Sequence, residues 1–127
     1  MTRQELIGFC LSFPGAYEDY PYDSIGKPGT VAVMRHSANK KSFAAVYERN
    51  GRLCVTLKYD PLAADFLRQT YRDVEAQKMP AWNFVYVGGD VPEEELQRMI
   101  GNSYDLIKPK QKGRGQTCRK ILSEIKE

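Results

Sequence analysis

The sequence predicts an α+β fold in two layers, an antiparallel sheet with helices on one face, in the order α-β-β-β-α-β(-β)-α plus an extra C-terminal helix. Two patterns and a size lead there. Between residues 30 and 58, segments of period two follow one another across short polar turns, as hairpin-joined strands do. On either side lie segments whose apolar residues recur at helical spacing behind capping residues. The chain has 127 residues, 42% of them hydrophobic and 28% charged, which is one domain's worth with enough apolar side chains to fill a core without disulfides or a metal.

The elements follow in order. Thr2 with Glu5 three residues on reads as a capping box, and Leu6, Ile7, Cys10 and Leu11 make the apolar stripe of a first helix that Pro14-Gly15 ends. Ala16 to Gly29, with Tyr17, Tyr20 and Tyr22 among acids, reads as a loop with room for a short strand. Thr30–His36, Ser42–Glu48 and Arg52–Lys58 read as strands, the last two joined by Asn50-Gly51, a strong short hairpin signal. In the last, Leu53, Val55 and Leu57 alternate with Arg52, Cys54, Thr56 and Lys58, so one side is buried and the other open. Asp60-Pro61 opens a second helix whose inner stripe is expected at Leu62, Phe66, Leu67 and Thr70. Val74–Met79 is at most a short strand, and Trp82–Val87 is a strand. Pro92 starts a third helix, with Glu93–Glu95 at its positive end and Leu96, Met99, Ile100, Tyr104 and Ile107 inward. The domain is expected to span 1–107. Residues 108–127 read as a basic linker and an amphipathic tail helix carrying Cys118, Ile121, Leu122 and Ile125.

Charge is unevenly spread. The net charge is +3, yet 30–58 carries six Lys/Arg against Glu48 alone, 108–127 carries seven against two acids, and the remainder is acidic. Two basic segments on an acidic body suit either a polyanion partner or solvated turns and tail. No run of 18 apolar residues suggests a membrane span, and the N-terminus lacks the succession of a secretory signal. Three widely spaced cysteines make no disulfide framework, so a reducing cytoplasm is expected.

Catalysis finds little support. His36 is the one histidine; Cys10 falls on a core stripe, and Cys54, on the polar side of its strand, is the more reactive candidate but has no adjacent base. No metal-ligand spacing occurs, and Gly26-Lys27-Pro28-Gly29-Thr30 lacks the glycine spacing of a phosphate loop, so no cofactor is expected. The basic hairpins offer phosphate contacts through Arg35, Lys40, Lys41, Arg49, Arg52 and Lys58. Trp82, Phe84 and Tyr86 form one side of their strand, and their area favours burial against the helices. If they shared the open side with Arg52 and Lys58 instead, they would form a stacking platform for single-stranded nucleic acid.

Several pieces together resemble the MmcQ/YjbR family of small bacterial proteins. They are Leu11 to Ala16 followed by Glu18-Asp19-Tyr20-Pro21, Leu57-Lys58 to Leu67, Trp82-Asn83 into Val85-Tyr86-Val87, Gly89-Asp90-Val91-Pro92, and Ser103 to Ile107. The resemblance covers about residues 1–107. It implies an α+β domain similar to frataxin-like (CyaY-like) and secretion-chaperone-like folds, and a DNA-binding role through a double-wing arrangement. The histidine-rich stretch that members carry before the tryptophan is shortened here to Gln77–Ala81, so no role of those histidines carries over. A frataxin-like iron role is disfavoured, since the acids do not gather on the first helix. The leading expectation is a non-enzymatic, cytoplasmic DNA-binding or regulatory protein using those six basic residues. The alternatives are a protein-interaction module that dimerises through the tail helix, and a small-ligand site around Trp82, Asn83, Ser103 and Tyr104.

Overall fold

Local signals set the helix ends. The Thr2 side chain accepts from the Glu5 amide while Glu5 reaches back to the Thr2 amide at 2.8 Å, starting α1 (Arg3–Leu11). Asp60 caps α2 (Pro61–Thr70) by accepting from the Leu62 amide at 3.0 Å. Pro92 precedes α3 (Glu93–Ile107), whose first turn carries three glutamates at the end where the helix dipole favours anions. The structure, a computed structural model, describes residues 1–79 and 81–109. The expected tail helix, and a dimer contact through it, lie outside the described residues.

Six strands form one antiparallel sheet: β1 (Ala16–Asp19), β2 (Ala32–His36), β3 (Ser42–Arg49), β4 (Arg52–Lys58), β5 (Val74–Ala76) and β6 (Trp82–Tyr86), in the spatial order β1-β2-β3-β4-β6-β5. The β3–β4 turn has Asn50 at φ 55° and Gly51 at φ 73°, the left-handed pair that a two-residue hairpin needs to match strand twist. The loop after α1 contributes β1, and Val74–Ala76 pairs as the short edge strand β5.

All three helices pack on one face. Leu6 and Cys10 of α1, Ala64 and Leu67 of α2, and Leu96, Met99, Ile100, Tyr104 and Ile107 of α3 share a core with Met34, Ala44, Val46, Val55, Leu57 and Val85 of the sheet. The inner stripe expected for α3 is buried as read. That of α2 is not. Leu62 is 84% and Phe66 66% exposed, and the helix instead turns Ala64 and Leu67 inward. A buried polar side chain sets this phase: Asn83 of β6 donates to the Ala64 carbonyl at 3.1 Å and accepts from the Arg68 guanidinium. Small Ala64 lets the helix come close enough for that bond, which a leucine at the contact would prevent.

One irregularity shapes the other face. Between Met34↔Ala44 and Arg35↔Ser42 the β2–β3 register slips, and β3 holds Phe43 as an extra residue. Phe43 therefore joins Ala44 on the helix side, fully buried against Phe13 and Tyr104. Ser103 pins the bulge: its hydroxyl donates to the Phe43 carbonyl and accepts from the Lys58 amide at 2.9 Å. Those two backbone groups lie one position beyond the Ala44–Leu57 pair, so α3 supplies a side chain where the ladder opens.

Candidate ligand site on the open sheet face

Cross-strand partners in an antiparallel sheet point to the same side, so the register assigns the faces. Lys58 pairs with Trp82, Thr56 with Phe84 and Ala45, Cys54 with Tyr86 and Tyr47, and Arg52 with Arg49. The aromatic row thus lies on the open face together with Arg52 and Lys58, not in the core as its area suggested. Guanidinium groups take over the covering that helices provide elsewhere. Arg49 sits 3.9 Å from the centroid of the Phe84 ring, and Arg52 sits 4.6 Å from that of Tyr86. Tyr86 is left 3% exposed. Only Trp82 of the row remains without such a cover among the described residues.

Those arginines are also paired with acids. Arg49 meets Glu75 at 2.9 Å and bonds the Tyr86 hydroxyl, while Arg52 makes two bonds of 3.1 Å to the Asp73 carboxylate. The Arg52 hydrogen bonds hold the Asp73 carboxyl below its ordinary value, and the hydrogen bonds to Glu75 and Asp73 hold Arg49 and Arg52 above theirs. Arg35 donates to Asp19 at 2.7 Å and to the Lys40 carbonyl at 3.1 Å. Of the six basic candidates, only Lys40, Lys41 and Lys58 form no ion pair among the described residues. Lys40 and Lys41 lie in the β2–β3 turn, at the far end of β3 from Arg49 and Arg52, roughly 25 Å along an eight-residue strand. The six residues therefore do not form one cationic surface: Arg35, Arg49 and Arg52 are ion-paired, and Lys58, at the end of β4, lies at the same end of the sheet as the Lys40–Lys41 turn, away from Arg49 and Arg52.

Between the two ends the open face is hollow. A depression of about 440 Å³ lies over Ser42, Ala45 and Thr56, with Trp82, Tyr47 and Met79 rising around it and Arg35 at one side. Its origin is the bulge. Phe43 would follow Ala45 on this face in a regular strand; turned to the core, it leaves small side chains where an aromatic ring would stand. Thr56 is only 4% exposed, lines the depression, and its hydroxyl has no hydrogen-bond partner among the described residues. Tyr47 is half-buried, and burial pushes its phenol up to about 12, so it remains a neutral donor. Among the described residues, none that lines the depression carries a carboxylate, imidazole or thiol. A second hollow over Arg3, Gly29 and Thr30 shares Val31 and Tyr47 with the first.

The remaining candidates have structural partners. Cys54, expected to be the more reactive thiol, is fully buried beneath Tyr47 and Tyr86, and burial pushes it up to about 11; burial takes Cys10 to about 12. The polar side of a strand was a poor guide here because arginine-capped rings close over it. His36 stacks 5.8 Å from Tyr104 and accepts from the Ala38 amide at 3.0 Å. Among the described residues no group of histidine, cysteine, aspartate or glutamate could hold a metal ion, and no helix is long and apolar enough to cross a membrane.

Comparison with known proteins adds the relationship. The YjbR family model matches residues 11–106. The chain belongs to the YjbR family. An Escherichia coli K12 protein, named "Uncharacterized protein YjbR", is 31% identical over 107 residues, covering 82% of this chain and 85% of its own. A Pseudomonas syringae crystal structure aligns with a TM-score of 0.72 at 26% identity, over 85% of this chain and all of that one. A Deinococcus radiodurans protein with family-model domain DUF419 shares the fold at a TM-score of 0.70 and 24% identity, over 84% of this chain and 78% of its own. Within this YjbR domain the four positions singled out from the resemblance part ways. Asn83 orients α2, Ser103 pins the bulge, and Tyr104 packs in the core with its hydroxyl on the Pro14 carbonyl. Trp82 alone faces the depression.

Proposed function

We propose that this YjbR-family protein is a non-enzymatic binding domain that takes a small ligand into the depression on the open face of its sheet. One observation carries the reading: a concave, mostly apolar site with hydroxyl-bearing residues in its lining and a floor formed by strands. Such a site combines area to bury with a small number of groups that fix orientation. Tyr47, a phenol in its lining, is pushed up to about 12 by burial, so it suits hydrogen bonding to a ligand better than proton transfer near neutral pH. The test is thermal denaturation of the protein against a library of small molecules, run in parallel on Ala45→Leu. Ligands that raise the melting temperature of the natural protein and not of the filled variant support the reading; stabilisation equal in both would overturn it.

A second reading, nucleic-acid binding, is favoured by Lys58 standing beside Trp82 on the open face and by Lys40 and Lys41 having no ion-pair partner among the described residues. In that reading Arg35, Arg49 and Arg52 contribute little, because a phosphate would have to displace Asp19, Glu75 or Asp73. Titration with duplex and single-stranded DNA at two salt concentrations separates the readings. Affinity that falls steeply with salt and drops in Lys40→Ala/Lys41→Ala/Lys58→Ala supports phosphate contacts. No binding near 50 mM salt would remove them.

A further inference from the structure

We infer that the depression accepts a neutral planar heteroaromatic ring, of the nucleobase class, laid against Trp82 with its polar edge on the hydroxyls of Thr56 and Ser42. The inference rests on the reading of this face as a ligand site and adds what that ligand is.

Shape argues for a ring. The floor is a short row of small side chains, Ser42, Ala45 and Thr56, flanked by the Trp82 and Tyr47 rings. A flat ligand can cover that floor and still meet a π-face at its side, as bases do on aromatic side chains. Trp82 is the ring of its row that no guanidinium covers among the described residues, whereas Arg49 and Arg52 lie over Phe84 and Tyr86.

Polarity argues for a ring with hydrogen-bonding edges. Thr56 is 4% exposed and lines the depression, and its hydroxyl forms no hydrogen bond among the described residues. Buried polar groups in folded proteins are satisfied almost without exception, by protein or by water, so a ligand edge that replaces a water here gains a ready hydroxyl partner. Ser42, three residues before the Thr56 partner Ala45 on β3 and in the same lining, also forms no side-chain bond among the described residues, and Gln77 adds an amide. Hydroxyls and amides both donate and accept, which matches the mixed edge of a base and offers nothing to a plain hydrocarbon.

Charge argues for a neutral ring. Among the described residues, the one charged side chain lining the site is Arg35, and Asp19 already occupies it at 2.7 Å. A carboxylate or phosphate on the ligand would compete with Asp19 for the guanidinium and meet its repulsion, so an anionic substituent gains little.

The sequence makes the test simple, because Trp82 is the one tryptophan of the chain. Its fluorescence is followed while the full-length protein is titrated with adenosine, guanosine, cytidine and uridine, and separately with benzoate and toluene. The expected result is saturable quenching by at least one nucleoside that hardly changes between low and high salt. Thr56→Val, of nearly equal volume, should weaken that binding about tenfold, with Ser42→Ala as a second variant. Circular dichroism confirms that both are folded. Saturable binding of benzoate or toluene without any nucleoside would overturn the ring assignment and leave the site intact. No saturable response to any of the six would count against both. Binding unchanged in both variants would place the ring elsewhere.

Discussion

Removing one hydroxyl, in Ser103→Ala, should loosen the bulge on which the open face depends. Ser103 is fully buried, and its oxygen serves two backbone groups at once, the Phe43 carbonyl and the Lys58 amide. Truncation leaves the amide without its acceptor, at a cost of about 1–3 kcal/mol, and removes a bond to the carbonyl worth about 1 kcal/mol net. Alanine returns about 0.5 kcal/mol through its better helix propensity at this interior position of α3. The net expectation is a loss of about 2 kcal/mol. Urea unfolding should show it as a lower midpoint at unchanged slope, and a thermal scan as a fall of roughly 10 °C for a domain of this size. A loss under about 0.5 kcal/mol would mean that the strands close the gap without the side chain and that Ser103 does not hold the bulge. The same variant should weaken any ligand of the depression, since Phe43 and Ser42 are neighbours in the bulge.

Other expectations can be checked independently. Gly89→Ala would place its methyl 1.6 Å from an Asp73 carboxylate oxygen and 2.8 Å from an Arg52 nitrogen, so it should push the two side chains apart, break that ion pair and lower the midpoint of chemical denaturation. Asp73 has a folded value below its unfolded one, so its contribution is present above the ordinary aspartate range and is lost as pH falls through the lower folded value. Asp73→Asn should therefore flatten the acid limb of a stability–pH curve; an unchanged limb would sink that assignment. Cys10 and Cys54 should resist alkylation at pH 8 in the native protein and react once urea is added, as peptide mapping would reveal. Phe66→Glu on the exposed face of α2 should change stability by less than about 0.5 kcal/mol, against several for a residue of an inner stripe.

Much of this architecture can be read from local chemistry. Thr2 and Glu5, Asp60-Pro61, and Asn50-Gly51 each act within a few residues, so their consequences follow without knowledge of the rest of the chain. The α3 stripe is also legible, because five large apolar residues recur at one spacing and leave a single face to bury. The α2 stripe misleads. Leu62 and Phe66 dominate by size, but a buried amide sixteen or more residues away, on Asn83, decides which side meets the sheet. Period two in Trp82–Tyr86 separates two faces without saying which is inside. Asn83 and Val85 face the helices, and Arg49 and Arg52 from a neighbouring hairpin shield the larger rings. The bulge at Phe43 is equally silent in sequence. A run of Ser42-Phe43-Ala44-Ala45 alternates well enough to pass for a regular strand, and the site exists because it is not one. The basic residues were legible as charges but not as pairs, since Asp19, Glu75 and Asp73 come from β1, β5 and the turn before β5.

If the hollow over Thr56 takes a nucleoside, backbone amide mapping by NMR during a nucleoside titration should locate it there. Shifts are expected to concentrate in Ser42–Tyr47, Cys54–Lys58 and the Trp82 indole, with α1 and α3 unmoved. Shifts confined to the Lys40–Lys41 turn or to the Leu62–Phe66 face of α2 would contradict it.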